Sequence, residues 1–171
     1  MRLGEDWVIK ILVTVGTHEQ PFNRLVRVLD RFSKDFQGQF EVFIQYGYSD
    51  KPTYAAGEQM VGTDTLASLA DWADIIITHG GPGSIWLALE RKKIPIVVPR
   101  SFRFGEHVND HQVAFARHME REKRVIAIYD IDDLPHAIKN YKTLATRCKF
   151  LDSETRSNRK KVERLIDGLL K

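Results

Sequence analysis

Cysteine is almost missing from this chain, with Cys148 alone among 171 residues. One thiol forms no internal disulfide and offers no thiolate cluster for zinc, so the chain reads as a protein of a reducing compartment. Long apolar runs are missing too. The longest, such as residues 75–77 (Ile-Ile-Ile), fall far short of the roughly 20 residues that span a bilayer. No N-terminal stretch has the basic start and apolar centre of a signal peptide, which makes the cytoplasm the expected location. If the protein works at a membrane, something else holds it there. A strong charge of one sign is also lacking: 26 basic against 23 acidic side chains leave +3, too mild an excess to argue for nucleic acid. No internal repeat and no low-complexity linker divides the chain, so residues 1–171 are expected to form one domain.

What is present is ordinary globular material, 43% hydrophobic and 29% charged, which excludes disordered and fibrous readings. Charge gathers in one place. Over residues 156–164, Arg156, Arg159, Lys160, Lys161 and Arg164 stand beside a single acid, Glu163. On a helix they form either a solvated face or a contact for anionic lipid or an acidic partner. Val162, Leu165, Ile166 and Leu169 make an apolar stripe on the same predicted helix, over about 154–170, fit to dock on a partner or on its own domain.

Residues 7–15 are β-rich and almost continuously apolar, as a strand buried on both faces of a parallel sheet must be. The run ends at Gly16. After Pro21, apolar residues Phe22, Leu25, Val26, Leu29, Phe32 and Phe36 recur at three- and four-residue steps, the stripe of an amphipathic helix. Strands are then predicted at 40–46, 74–78, 94–98 and 124–128. Helices are predicted from a cap at Thr63 or Asp64 through Trp72, from the Gly-rich turn 79–83 to about Arg91, over 108–120, over 132–146 and over 154–170. Strands alternating with helices imply right-handed crossovers, hence an α/β fold whose parallel sheet is covered on both faces.

In such a sheet, ligands bind outside the carboxyl ends of the strands, and three loops there carry unusual residues. The first is Gly16-Thr17-His18-Glu19-Gln20-Pro21-Phe22, where Thr17 and His18 can meet a phosphate or a sugar and the rest can cap a helix. The second is Thr78-His79-Gly80-Gly81-Pro82-Gly83-Ser84. Its three glycines let backbone approach a ligand, and the helix it opens offers unpaired N–H groups and a positive dipole end, so a diphosphate is the natural guest. The spacing matches neither the Walker A pattern nor the dinucleotide G-x-G-x-x-G. The third runs from Pro99 and Arg100 to Gln112 and packs Glu106, His107, Asn109, Asp110, His111 and Gln112 together. Asn109 or Asp110 can cap the next helix; the others supply the donors and acceptors that hexose hydroxyls require. His107 and His111 stand four apart without a third ligand, and Asp132-Asp133 falls at a predicted helix start, so no metal site is expected. Trp72 and Trp86 lie at core spacing.

Taken in order, VTVGTHEQPF (13–22), ITHGGPGS (77–84), and PIVVPR (95–100) followed by FGEHVNDHQ (104–112) resemble the bacterial exopolysaccharide and capsular glycosyltransferases of family 28. These in turn are similar to the catalytic subunit of the eukaryotic two-subunit UDP-N-acetylglucosamine transferase. The resemblance spans nearly the whole chain. It implies a Rossmann-like α/β domain equivalent to the C-terminal half of a GT-B glycosyltransferase. It further implies a UDP-sugar-binding subunit that works with a membrane-associated partner supplying the acceptor half, at the inner face of the plasma membrane. The implied reaction is inverting transfer of a hexose, of galactose or N-acetylglucosamine type, to a lipid-linked saccharide in polysaccharide biosynthesis, without cofactor or metal.

By motif position the donor contacts would be Gly16, Thr17, His79, Gly80, Gly81, Pro82, Gly83, Ser84, Arg100, Glu106, Asn109, Asp110 and Gln112. No base is assigned, since inverting relatives take it from the other half; His18 and His107 are the candidates within this chain. One departure stands out. Relatives carry a ribose-binding Glu in the helix after the Gly-rich loop, where this chain has Ile85-Trp86-Leu87-Ala88-Leu89 and only then Glu90. Either another acid, such as Glu106 or Asp110, holds the ribose, or affinity is weak until the partner docks. The alternative from a different class is a non-catalytic subunit that stabilises a glycosyltransferase partner.

Overall fold

The computed structural model describes residues 7–151; the helix expected over 154–170 and its docking role lie outside the described residues. Six strands are present: β1 (Ile9–Thr14), β2 (Phe40–Gln45), β3 (Ala56–Glu58), β4 (Ile75–Thr78), β5 (Ile96–Val97) and β6 (Ile126–Ala127). Among the described residues six α-helices separate and follow them: α1 (Asn23–Asp35), α2 (Thr63–Trp72), α3 (Pro82–Glu90), α4 (His111–Arg121), α5 (Leu134–Lys139) and α6 (Tyr141–Ala145). All strand pairs are parallel, in the order β3-β2-β1-β4-β5-β6. The sheet is thus α/β, as its apolar strand runs and alternating helices require.

β1 lies at the centre because its neighbours on both sides are as apolar as it is. It pairs with β2 from Ile9↔Phe40 to Thr14↔Gln45 and with β4 from Ile11↔Ile75 to Thr14↔Thr78. On one face, Ile11, Val13, Ile75 and Ile77 pack against Leu25, Val26, Leu29 and Phe32 of α1, with Phe115 and Met119 of α4 and Ile138 of α5 in the same cluster. On the other, Leu12 and Ile76 meet Ala70 of α2, Ala73 and Ala88 of α3. Small alanines let these two helices lie close to the strands. Fully burying each large aliphatic side chain contributes about 1.5–3 kcal/mol, which makes the β1–β4 seam the centre of the core among the described residues.

Four expectations need correction. Residues 56–58 form β3, a short strand without the β-branched run that marks the others. Helix α2 is capped at Gly62 with no side-chain cap bond, so neither Thr63 nor Asp64 caps it. Helix α4 begins at His111, since the preceding residues are drawn into the third loop. Finally, 132–146 is broken: a 3-10 turn (Ile131–Asp133) leads into α5, and Asn140 ends α5 and starts α6. The Asn140 side chain donates to His136 O at 2.9 Å, the local competition with helix bonding that makes Asn a poor interior residue.

The path into β3 is fixed from α1. Asp30 accepts the backbone amides of Thr53, Tyr54 and Ala55 at 2.9, 2.7 and 2.9 Å. Asp30→Ala is therefore expected to cost about 1 kcal/mol by removing bonds to a charged acceptor, since the exposed Thr53 and Tyr54 amides can turn to water. Hydrogen exchange should accelerate at residues 53–58 and leave β1 and β4 protected; unchanged protection at 53–58 would refute the role.

Candidate functional site

From β1 the chain proceeds to β2 and β3 on one side, and from β4 to β5 and β6 on the other. The order therefore reverses between β1 and β4, and the loops leaving those two strands part to open a crevice at their carboxyl ends. A cavity of about 440 Å³ occupies it, within the size range of small-molecule sites. Thr14, Gly16 and Thr17 line it from the first loop, His79, Gly81, Pro82, Gly83 and Ser84 from the Gly-rich turn, and Trp86, Leu87 and Glu90 from α3. Gln45 and a shoulder of Met60, Val61, Thr63 and Leu66 close the far side. Two other hollows, of about 550 and 630 Å³, lie at the amino end of β1 and β4 and against β6, away from the strand ends where function concentrates.

Gln45 fixes the floor. Its Oε1 accepts from Thr14 Oγ1 at 2.8 Å and from Gly16 N at 3.2 Å, while its Nε2 donates to Gly16 O at 3.1 Å and Gln59 O at 3.0 Å. One buried amide thereby joins the first loop to the shoulder. A polar residue ending the apolar strand β2 was the signal for it in the sequence.

His79 lies beneath the turn, in a slot that glycine creates. A Cβ on Gly16 would sit 2.6 Å from His79 Nε2, and one on Gly81 would sit 2.3 Å from the same atom. No side chain fits at either position unless the imidazole leaves. Nδ1 lies 3.3 Å from both Thr14 O, which only accepts, and Thr78 Oγ1, which can donate or accept; the bond to Thr14 O assigns the proton to Nδ1 and leaves Nε2 as acceptor. The ring is neutral: burial, aided by the nearby Arg100 charge, lowers its pKa to about 4.

The amino end of α3 opens into the cavity, with Gly81 at the cap position and Pro82 first in the helix. Pro82 has no N–H, and Ser84 N already donates to Gly81 O at 3.2 Å. The Gly83 amide, without an intrahelical acceptor, and the Ser84 hydroxyl are thus the donors at this end. At the other end of the helix, Trp86 Nε1 donates to Glu90 Oε1 at 2.7 Å. Trp86 is core, as expected, yet both residues also border the cavity.

The third loop is organised by buried charge. Arg100 is completely buried; its Nε and Nη2 donate to Val15 O at 3.2 and 2.7 Å, and its Nη1 to Gln20 O at 2.6 Å and Glu106 O at 3.0 Å. Burial lowers its pKa to about 10, opposed by the Glu106 carboxylate, so it stays charged near neutrality. Glu106, also buried, receives Arg24 through both oxygens at 2.8 and 2.9 Å and Ser101 N at 3.0 Å. Asp110 occupies the cap position of α4 without capping it by its side chain; it accepts from Ser101 Oγ at 3.0 Å and Phe102 N at 2.9 Å. Asn109 accepts from His111 N at 3.1 Å and Gln112 from Arg100 N at 3.3 Å.

The sequence-based set therefore divides. Gly16, Thr17, His79, Gly81, Pro82, Gly83 and Ser84 converge on the cavity, with Gly80 buried behind them at a positive φ of 91°. Arg100, Glu106, Asn109, Asp110 and Gln112 do not border it, and their bonds hold the loop itself. His18 and His107 stack with ring centroids 4.5 Å apart, joining the first and third loops beside the cavity. Burial and the adjacent His18 lower the pKa of His107. Among the described residues, no group of three or more His, Cys, Asp or Glu side chains is arranged to hold a metal ion.

The depressed pKa of His79 sets a pH dependence. An unfolded histidine titrates near 6.5 and the folded one near 4, so the neutral ring's contribution is complete above about pH 6.5. It is lost as pH falls from there toward the folded value, at about 1.4 kcal/mol for each tenfold rise in proton concentration and about 3 kcal/mol in all. Urea melts from pH 7 to pH 4 should show this slope, and His79→Asn should flatten it. An equal slope in both proteins would place the linkage elsewhere.

Comparison with known proteins identifies the fold and the family. Residues 10–168 match the glycosyltransferase family 28 C-terminal domain. No curated protein sequence matches the chain. Among solved structures, MurG of Acinetobacter baumannii superposes with TM-score 0.58 at 17% identity, covering 84% of this chain and 46% of its own. The kitacinnamycin glycosyltransferase gives 0.58 at 19%, covering 86% and 38%. The ALG13 solution structure gives 0.57 at 20%, covering 93% and 94%. These likenesses establish a shared fold, the Rossmann-like C-terminal half of GT-B glycosyltransferases, and the chain spans less than half the length of the first two. With the family match extending over most of its residues, the chain belongs to the glycosyltransferase family 28 C-terminal domain family.

Proposed function

We propose that this chain is the UDP-sugar-binding subunit of a two-subunit inverting glycosyltransferase, transferring a hexose of galactose or N-acetylglucosamine type to a lipid-linked saccharide in polysaccharide biosynthesis. One observation carries the reading: the cavity at the β1–β4 reversal receives the amino end of α3, where an anion is favoured by dipole, amide and hydroxyl together. The diphosphate would rest on Gly81, Gly83 and Ser84, facing Gly16 and Thr17. Glu90, bordering the cavity and oriented by Trp86, is the acid proposed for the ribose hydroxyls. Arg100 and Glu106 act from behind as positioning residues, while Asn109, Asp110 and Gln112 stand on the side toward which the hexose would extend.

In the proposed reaction an acceptor hydroxyl oxygen attacks the anomeric carbon as its bond to the β-phosphate oxygen breaks, with inversion. UDP leaves with the bonding electrons, its charge stabilised by the helix end. The hydroxyl proton passes to a base. We assign the acceptor site and that base to a membrane-associated partner, with His18 and His107 as candidates in this chain. No metal or cofactor enters the proposal.

Calorimetry or ligand-detected NMR with UDP-hexoses, on the chain alone and with its partner, tests the reading. Binding is expected, weakened by about tenfold or more in Gly81→Ala, equivalent to about 1.4 kcal/mol, and several-fold in Ser84→Ala and Glu90→Ala, with melting checked for each. Absence of binding in both states would leave the chain a non-catalytic stabilising subunit. Transfer by the assembled pair should survive EDTA; its abolition would overturn the metal-free mechanism.

A further inference from the structure

The cavity at the β1–β4 reversal is short of positive charge. Among the described residues no lysine or arginine lines it, and its ionisable side chains are His79 and Glu90. The polar floor is already engaged, since Thr14 Oγ1 donates to Gln45 Oε1 and Gln45 Nε2 donates to Gly16 O and Gln59 O. At the amino end of α3, Pro82 has no amide to offer and Ser84 N is turned back to Gly81 O. His79, only 8% exposed, borders this cavity between its two walls. Its Nε2 lies 2.6 and 2.3 Å from where side chains on Gly16 and Gly81 would begin, so this nitrogen sits where the first loop and the Gly-rich turn meet. With the proton on Nδ1, bonded to Thr14 O, Nε2 turns a lone pair to that gap.

A lone pair is the wrong group to set beside a diphosphate, because both are acceptors. A proton on Nε2 would turn the same contact into a charge-assisted hydrogen bond while Nδ1 keeps its own. In the protein by itself that proton is opposed by burial and by the groups that face the ring: Arg100 and His107 from the third loop and His18 from the first. An opposite charge beside the ring reverses the balance, and a nucleotide-sugar diphosphate brings one on each phosphate. We propose that the diphosphate is bound together with a proton, taken from solvent onto His79 Nε2, and that the resulting imidazolium is the cation of the site. The inference rests on the nucleotide-sugar reading and deepens it, making His79 a catalytic residue that is charged only beside the leaving group. As the anomeric bond breaks, the imidazolium stabilises the charge gathering on the β-phosphate, and the proton returns to solvent when UDP departs. The two pH dependences then run in opposite directions. Acid weakens the free protein, which must protonate a buried ring, and strengthens its hold on the ligand, since binding takes up a proton.

Calorimetric titration of the chain, alone and with its partner, against UDP-galactose and UDP-N-acetylglucosamine in buffers of differing ionisation enthalpy reads the proton directly. Uptake should grow toward about one proton per ligand as pH falls from about 8 to about 6, with affinity rising by up to about tenfold per pH unit. In His79→Asn, whose amide donates without titrating, uptake and the pH dependence of affinity should both disappear. Nitrogen NMR of the wild-type imidazoles gives a second readout that needs no variant. On addition of the UDP-hexose, His79 Nε2 should pass from unprotonated to protonated while Nδ1 stays protonated. Binding without uptake would overturn this inference and leave the nucleotide-sugar reading standing. A tautomer exchange would do the same, with Nε2 protonated and Nδ1 left to accept from Thr78 Oγ1. Uptake undiminished in His79→Asn would also overturn it, by placing the proton on His18 or His107. Absence of binding in both states would overturn both readings together.

Discussion

The geometry of the crevice depends on one buried cation. Arg100 carries its charge into the interior between the first and third loops, and removing such a group from water costs several kcal/mol unless its donors are matched. Here they are matched to three carbonyls: Val15, Gln20 and Glu106. Because these carbonyls belong to separate loops, satisfying one guanidinium fixes the loops relative to each other. Glu106 extends the tie to α1 through Arg24, whose second contact is Pro99 O at 3.3 Å. A movement of either loop would strand charge in a low-dielectric interior, so the crevice walls are set before any ligand arrives.

The same charge acts at a distance on what the cavity can accept. Arg100 is among the causes that hold His79 neutral, which means its field reaches the slot beneath the Gly-rich turn. A field that disfavours a second proton on His79 favours an anion in the same place. The neutral ring keeps its Nδ1–H on Thr14 O and turns a lone pair, at Nε2, toward the glycines. An anion placed in this cavity would be favoured by a buried arginine and a helix dipole, neither of which has to move or lose solvent for it.

The sheet was legible in the sequence where apolar runs were continuous. Residues 9–14 and 75–78 can hardly be anything but buried strands, and the stripe from Leu25 to Phe32 could only be an amphipathic helix. β3 was not legible, because Ala56, Gly57 and Glu58 show no strand pattern and owe their place to Asp30, a contact across more than twenty residues of sequence. The site was legible in part. Gly16, His79 and the Gly-rich turn were recognisable because the chemistry of close backbone approach demands those residues. The polar wealth of the third loop was recognisable also, yet composition does not reveal direction. Glu106 and Arg100 face inward and Phe102 and Phe104 outward, the reverse of what hydrophobicity alone indicates, because the Arg24–Glu106 ion pair and the carbonyl bonds of Arg100 order the loop. Gln45 escaped notice as a single polar residue at the end of an apolar strand, and Glu90 was read as displaced from the ribose position.

Pro82 refines how this cavity can hold an anion. A proline in the first turn starts the helix at little entropic cost, but it deletes an amide at the place where phosphate-binding turns normally gather several. With Ser84 N turned back to Gly81 O, few backbone donors remain, and the dipole must be supplemented from the opposite wall. Gly16 and Thr17 form that wall, and their position is set by Gln45 and Arg100 rather than by α3. Grip on an anion is therefore a property of two elements held at a fixed separation. This is why the buried polar network, which meets the cavity at Gln45 and Thr14 while Arg100 stays behind it, governs it.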